Sequence, residues 1–304
     1  MTDKINVLID TDIGDDIDDA FAILLALKSK KIDIKAISTV YRNAAQRAQI
    51  TRQLLNKLNC VDIEVCAGID EPFCEPLKMY SFERIDKNGK IQIPHFMPSM
   101  EYEKYLKDDI ADFIEKHVQK QQNELTILAL GPLTNIAIWI KKYPDSIERI
   151  KELVIMGGSY NYNRKEWNFR CDPEAAEIVM DSKINIKLIP IDVTEKCILE
   201  QHMIDQFYNS QDEGIMLVTA MMKKYLKDFE YSRPVCLHDP LTLGSILEDF
   251  YVFERYYCSV MTDKDCRGSV KMALDDNGNV QVCKSADIEK FLHYMLDCCL
   301  HQSA

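Results

Sequence analysis

Six aspartates stand within ten residues near the start of this chain: Asp10, Asp12, Asp15, Asp16, Asp18 and Asp19, in VLIDTDIGDDIDDAFAILLAL (7–27). Carboxylates this close repel one another unless a cation joins them. The cluster offers only oxygen, the donor that hard divalent ions such as Ca2+ and Mg2+ prefer. A helix starting near Ile17 accounts for one or two acidic residues in its first turn through the helix dipole, at about 0.5 kcal/mol each. It does not account for six, and metal binding is the chemistry this spacing predicts.

The aspartates need a strand before them and a helix after them. Ile5 to Asp10 reads as a strand, which puts Asp10, Thr11 and Asp12 at the carboxyl edge of a sheet, where open α/β folds hold their ligands. Further apolar, β-branched runs recur: IKAISTVY, DIEVCAG, LTILAL, ELVIMGG and IKLIPIDVT. Between them AFAILLALKSK, AQRAQITRQLLNKLN, IADFIEKHVQKQ, LTNIAIWIKKY and PEAAEIVMDSK have amphipathic helical spacing. The alternation predicts an α/β fold, a mostly parallel open sheet flanked by helices. Glu71 to Met100 breaks the rhythm with four prolines and reads as a long loop or flap. After Tyr251, YYCSVMT and SVKMALDDNGNVQVC read as β segments, the second a hairpin turning at DDNGN, with a final helix from about Ala286. No repeat or linker divides the chain, so residues 1–304 are expected to form a single domain with insertions.

Composition narrows the function classes. With 304 residues, 47% hydrophobic and 28% charged, the chain belongs with ordinary globular proteins. A net charge of −12 without a long basic run argues against a nucleic-acid partner. No apolar run of about 18 residues predicts a membrane span, and the start lacks a signal-peptide pattern. The eleven cysteines contain no CxxC pair and fit free thiols in a reducing cytoplasm better than zinc or a disulfide framework.

Two short patterns compete for the aspartate run. An EF-hand needs Gly at its sixth position and Glu at its twelfth, where counting from Asp10 gives Asp15 and Phe21. A DxDx(T/V) opening resembles haloacid dehalogenase phosphatases, but Gly14 occupies the Thr/Val position. A metal-dependent DxD phosphatase is kept as an alternative. Four other stretches answer to the first: LALGPLTNIA (128–137), VIMGGS (154–159), EWNFRCDPEAA (166–176) and CLHDP (236–240). In this order and spacing, from Asp10 to Asp239, the chain resembles the nucleoside hydrolase family of the inosine-uridine preferring type. That resemblance implies hydrolysis of the N-glycosidic bond of ribonucleosides to ribose and free base, as in nucleoside salvage, by homo-oligomers, dimers or tetramers.

The family opens with DxDPGxDDA, matched here by Asp10, Asp12, Gly14, Asp18, Asp19 and Ala20, with Ile13 in the proline position and two extra residues before the closing pair. The resemblance makes Asp12 a Ca2+ ligand and the general base for a calcium-bound water. Asp19, Asp239 and the main-chain carbonyl of Leu130 complete the metal set, and Asp10 and Asp16 are further ligand candidates. It assigns substrate contacts to Asp18, Asn43, Met156, Glu166 and Asn168, with Asn161 and Asn163 competing for one more. His238 is the implied acid for the departing base. The family's HGxxG segment has no match in LKMYSFERIDKNGKIQIPHF (77–96), which leaves a non-catalytic, regulatory relative as a second alternative. Tyr80, Phe82, His95, Tyr225, Tyr231 and Arg233 are candidates for the base side.

Overall fold

The structure is a computed structural model, and it describes residues 4–74, 84–85, 91–92 and 106–301. The chain runs β1 (Ile5–Thr11), α1 (Asp18–Lys28), β2 (Ile32–Thr39), α2 (Ala44–Lys57), β3 (Glu64–Ala67), β4 (Arg84–Ile85) and β5 (Ile91–Gln92). Next come α3 (Ile110–Gln121), β6 (Leu125–Ala129), α4 (Thr134–Lys142), β7 (Glu152–Met156), α5 (Trp167–Cys171), α6 (Pro173–Met180), β8 (Ile186–Ile189) and α7 (Ile191–Thr194). The last third adds β9 (Ile198–Leu199), α8 (Gln201–Tyr208), α9 (Glu213–Asp228), β10 (Val235–Cys236) and α10 (His238–Gly244). It ends with β11 (Tyr251–Val260), β12 (Val270–Leu274), β13 (Val280–Ala286) and α11 (Ile288–Leu296).

Among the described residues, nine strands form one sheet in the order β12-β11-β13-β8-β7-β6-β1-β2-β3. From β3 across to β13 every neighbour is parallel, and β11 alone runs against the rest, pairing antiparallel with β13 and β12. The mostly parallel sheet is therefore as the apolar runs predict. Alternation along β1 splits the core between the two faces of the sheet. Val7 and Ile9 pack with α1, α2, α9, α10 and α11, while Leu8 packs with α3, α4 and α6.

The winding fixes where a ligand can go. From β1 the chain adds β2 and β3 on one side, then returns to place β6, β7 and β8 on the other. The strand order therefore reverses between β1 and β6, and the connections leaving their carboxyl ends diverge to open a crevice. The turn carrying the aspartates leaves β1 at that point.

One expectation is corrected. The DDNGN turn does join β12 to β13, but these strands are not paired with each other, because β11 lies between them. The turn crosses the middle of β11: Asp275 donates its N–H to the Arg255 carbonyl (3.1 Å), and a Cβ on Gly278 would lie 2.3 Å from the Tyr256 carbonyl carbon. The hairpin in this region is β11–β12 instead. Most of the Glu71–Met100 stretch lies outside the described residues; within it β4 and β5 pair antiparallel.

Candidate active site

A cleft of about 200 Å3 opens at the β1/β6 switch point, and six chain segments line it. The β1–α1 turn brings Asp12, Asp15, Asp16, Asp18 and Asp19, and the turn after β6 brings Leu130. Met156 at the end of β7 and Glu166, Trp167 and Asn168 at the start of α5 form a second wall. Ile191 follows β8, and His238 and Asp239 open α10. Gly131 keeps the floor open, since a Cβ there would sit 2.9 Å from Asp12 Oδ1 and 2.9 Å from Val40 Cγ1.

The carboxylates are buried and crowded. Asp12, Asp18, Asp19 and Asp239 are all buried, and ligand oxygens of Asp16, Asp18 and Asp19 lie within 4.8 Å of one another. Burial, reinforced by Asp19, pushes the Asp12 carboxyl well above the usual range. Burial and Asp18 do the same to Asp16, and burial and Asp18 to Asp239. Asp18 is pushed up to about 6 and Asp19 to about 7, in both cases chiefly by burial. Internal donors are few: Thr11 Oγ1 donates to Asp19, and the Asp239 N–H donates to Asp18 Oδ2 (3.2 Å). An all-oxygen donor set this compact, and this poorly compensated by the protein, fits a hard divalent cation.

Arg47, on α2, enters this turn from behind. It is buried, with Nη2 on Asp15 Oδ2 at 2.9 Å, Nη1 on the carbonyls of Asp12 and Ile13, and Nε on the carbonyls of Tyr41 (2.6 Å) and Arg42 (3.1 Å). The last two belong to an unusual turn: Tyr41, Arg42 and Asn43 all have positive φ, at 67°, 34° and 55°. Left-handed backbone costs a residue with a Cβ about 1 kcal/mol or more. Backbone bonds from Tyr41 N to Ile69 O (2.8 Å) and Arg42 N to Asp70 O (2.9 Å) hold the turn together with Arg47. Arg47 is a functional candidate absent from the motifs. Its signal in the sequence is a charged residue on the buried stripe Ala44, Ala48, Thr51, Leu55 of an amphipathic helix.

The second wall is satisfied from within. Glu166 caps α5, accepting from Asn168 N (2.8 Å), Phe169 N (3.1 Å) and Gly158 N (3.0 Å), while burial raises its carboxyl to about 7. Asn168 Nδ2 donates to the Leu130 carbonyl at 2.7 Å and the Met156 carbonyl at 3.2 Å. His238 Nδ1 lies 2.7 Å from Thr194 Oγ1, and burial lowers its pKa against an opposing pull from Asp16.

The cleft thus brings together Asp12, Asp16, Asp18, Asp19, Leu130, Met156, Glu166, Asn168, His238 and Asp239. Asp10 does not line it. On the pleated strand Asp10 shares the face of Leu8, toward α4, and accepts from Ser38 Oγ (2.5 Å) and Asn135 Nδ2 (2.7 Å); its burial, first, raises its carboxyl to about 7. Asn43 starts α2 without lining the cleft, and Asn161 and Asn163 are exposed, Asn161 Oδ1 accepting from Asn163 N (3.1 Å). Tyr231 and Arg233 line a separate groove beside α8 and α9. Tyr80, Phe82 and His95 lie outside the described residues. Asp15, Trp167 and Ile191 line the cleft without a role assigned from the sequence.

Comparison with known proteins matches residues 7–293 to the family model described as inosine-uridine preferring nucleoside hydrolase. The chain is 30% identical to uridine nucleosidase 1 of Arabidopsis thaliana, over 88% of this chain and 81% of that protein. It is 26% identical to the inosine-uridine preferring nucleoside hydrolase of Crithidia fasciculata, over 96% of each. In fold it is similar to a solved plant nucleoside hydrolase with a TM-score of 0.86, 24% identity and coverage of 98% and 99% of the two chains.

Proposed function

This chain belongs to the inosine-uridine preferring nucleoside hydrolase family and hydrolyses the N-glycosidic bond of ribonucleosides, and we propose that it does so at the β1/β6 cleft with Asp12 as general base and Ca2+ as cofactor. The observation that carries the assignment of the site is the set of buried carboxylates facing Asn168 and Met156 across one cleft. Asp12, Asp19, Asp239 and the Leu130 carbonyl would hold the cation, with Asp16 beside them. When bound, the cation acidifies water and grips vicinal hydroxyls.

The remaining work falls to the chain's own groups. Asp12 takes a proton from the attacking water, whose oxygen bonds to the anomeric carbon as the C–N bond breaks. Positive charge builds on the sugar in that transition state, and the carboxylates around it favour that charge over the neutral ground state. Asn168 pairs with ribose hydroxyls, Met156 and Ile191 offer apolar contact, and Asp18 and Glu166 complete the sugar pocket. His238, held through Nδ1 by Thr194, gives a proton to the leaving base nitrogen. Water is thereby divided, hydroxyl to the sugar and proton to the base.

The setting proposed is nucleoside salvage in the cytoplasm, supported by eleven free cysteines. A homo-oligomer is proposed too, and the exposed Val252, Tyr257 and Leu274 on the outer strands suit an interface; light scattering reads the state directly. Among the described residues no helix is long and apolar enough to cross a membrane.

The test is a panel of purine and pyrimidine nucleosides, headed by uridine and inosine because relatives carry those names. Reducing sugar and phosphate are measured with and without chelator. Sugar release that stops with chelator and returns with Ca2+ is expected. No sugar from any nucleoside at high protein concentration overturns the reading in favour of a non-catalytic relative.

A further inference from the structure

The two extra residues of the opening leave Asp15 and Asp16 without unique counterparts in the family pattern, and Arg47 supplies a reason for the longer turn. Its guanidinium meets five acceptors on two loops: the Asp12 and Ile13 carbonyls and the Asp15 carboxylate on one, the Tyr41 and Arg42 carbonyls on the other. The first loop carries the proposed base and metal ligands. The second ends at Asn43 and holds three consecutive left-handed residues, a shape the local sequence does not favour. Backbone pairing carries the two loops as far as Val40 N to Thr11 O (3.0 Å), where they diverge. Past that point Arg47 spans the gap.

We infer that Arg47 is a positioning residue, a fixed internal cation that locks the metal-binding turn against the Tyr41–Asn43 turn and so aims the Asp12 carboxylate into the cleft before the metal arrives. Asp15 is its carboxylate anchor at the rim. Only a planar fork serves here: the acceptors lie in different directions around one plane, and a lysine ammonium at the end of a flexible stem reaches fewer of them at once. A permanent cation behind the turn also offsets part of the repulsion among the aspartates while leaving their cleft-facing oxygens free for a ligand.

This inference rests on the proposed metal site, and its test separates the two. Trp167 lines the cleft, so Tb3+ bound there as a calcium surrogate is sensitised by tryptophan excitation, giving a metal affinity independent of turnover. If wild-type protein gives no saturable sensitised signal, the metal reading fails first. If it does, R47K is expected to stay folded by circular dichroism while Tb3+ affinity weakens tenfold or more and kcat falls at least tenfold. A structural staple would lower Tm and leave both unchanged, so a folded R47K within twofold of wild type in both overturns the inference. Should R47K not fold, Asp15 decides. D15N keeps an oxygen for the fork and D15A does not, though both lose the same charge. Tb3+ affinity at least threefold weaker in D15A than in D15N is expected, and equal affinities overturn the inference.

Discussion

The two walls of the cleft are both turns leaving parallel strands, yet they treat their carboxylates in opposite ways. On the β7–α5 side, Glu166 receives three backbone N–H groups, so that burial alone, with no neighbouring carboxylate, raises its carboxyl to about 7. On the β1–α1 side, Asp12, Asp16, Asp18, Asp19 and Asp239 face one another with few internal donors, and burial and mutual repulsion push each carboxyl upward. One wall is a self-satisfied cap that shapes the cleft. The other is left short of positive charge, and such a deficit is what a cation and a cationic transition state fill.

The largest effect tests the unsatisfied wall. Asp12→Asn keeps the shape and removes the base and a ligand charge, so kcat should fall about a thousandfold with circular dichroism unchanged; an active Asp12→Asn protein would shift the base role elsewhere.

A pH series on chelator-treated protein comes next. Asp10, Asp19 and Glu166 are raised to about 7 and Asp18 to about 6, so the native state holds protons that the unfolded chain releases at ordinary carboxylate pKa values of about 4. The stability these protonated groups contribute is complete below the unfolded pKa and is lost as pH rises through about 6 to 7. Tm of the stripped protein should therefore drop between about pH 5 and pH 7.5, and added Ca2+ should recover most of the loss at the upper end. A profile that rises across this window would contradict the comparison.

On the satisfied wall, Glu166→Gln places an amide N–H2 against backbone donors and should cost about 1–3 kcal/mol in urea unfolding, with metal affinity little changed. The smallest effect is Thr11→Val, which removes a donor from Asp19. It should destabilise stripped protein by about 1 kcal/mol and matter less once metal is bound; equal loss in both states would mean that Asp19 needs no help from a cation.

Much of this was legible in the chain. Apolar, β-branched runs and amphipathic runs near period 3.6 locate the β1–β3 and β6–β8 strands and their helices, because strands covered on both faces and helices covered on one face demand these patterns wherever they end up. The aspartate run, the WNF segment and HDP lead to the residues that line the cleft. The match over residues 7–293 sets the phosphatase alternative aside. Less legible was the outer sheet: DDNGN has hairpin chemistry, yet β11 takes the place between its flanking strands. Turn composition describes local backbone and carries nothing about which strand fills the neighbouring slot.

The sequence by itself determined the α/β architecture, the gathering of carboxylates at a strand end and the family, since all three depend on residue type and spacing along the chain. Only the tertiary structure decided which aspartates work together. Asp10 turns toward Ser38 and Asn135 because α4 packs over that face of the sheet and brings Asn135 to it, while Asp239 arrives because α10 docks on α1. Asp15 meets Arg47 thirty-two residues away for the same reason, a packing of elements whose distance in space no spacing along the chain records.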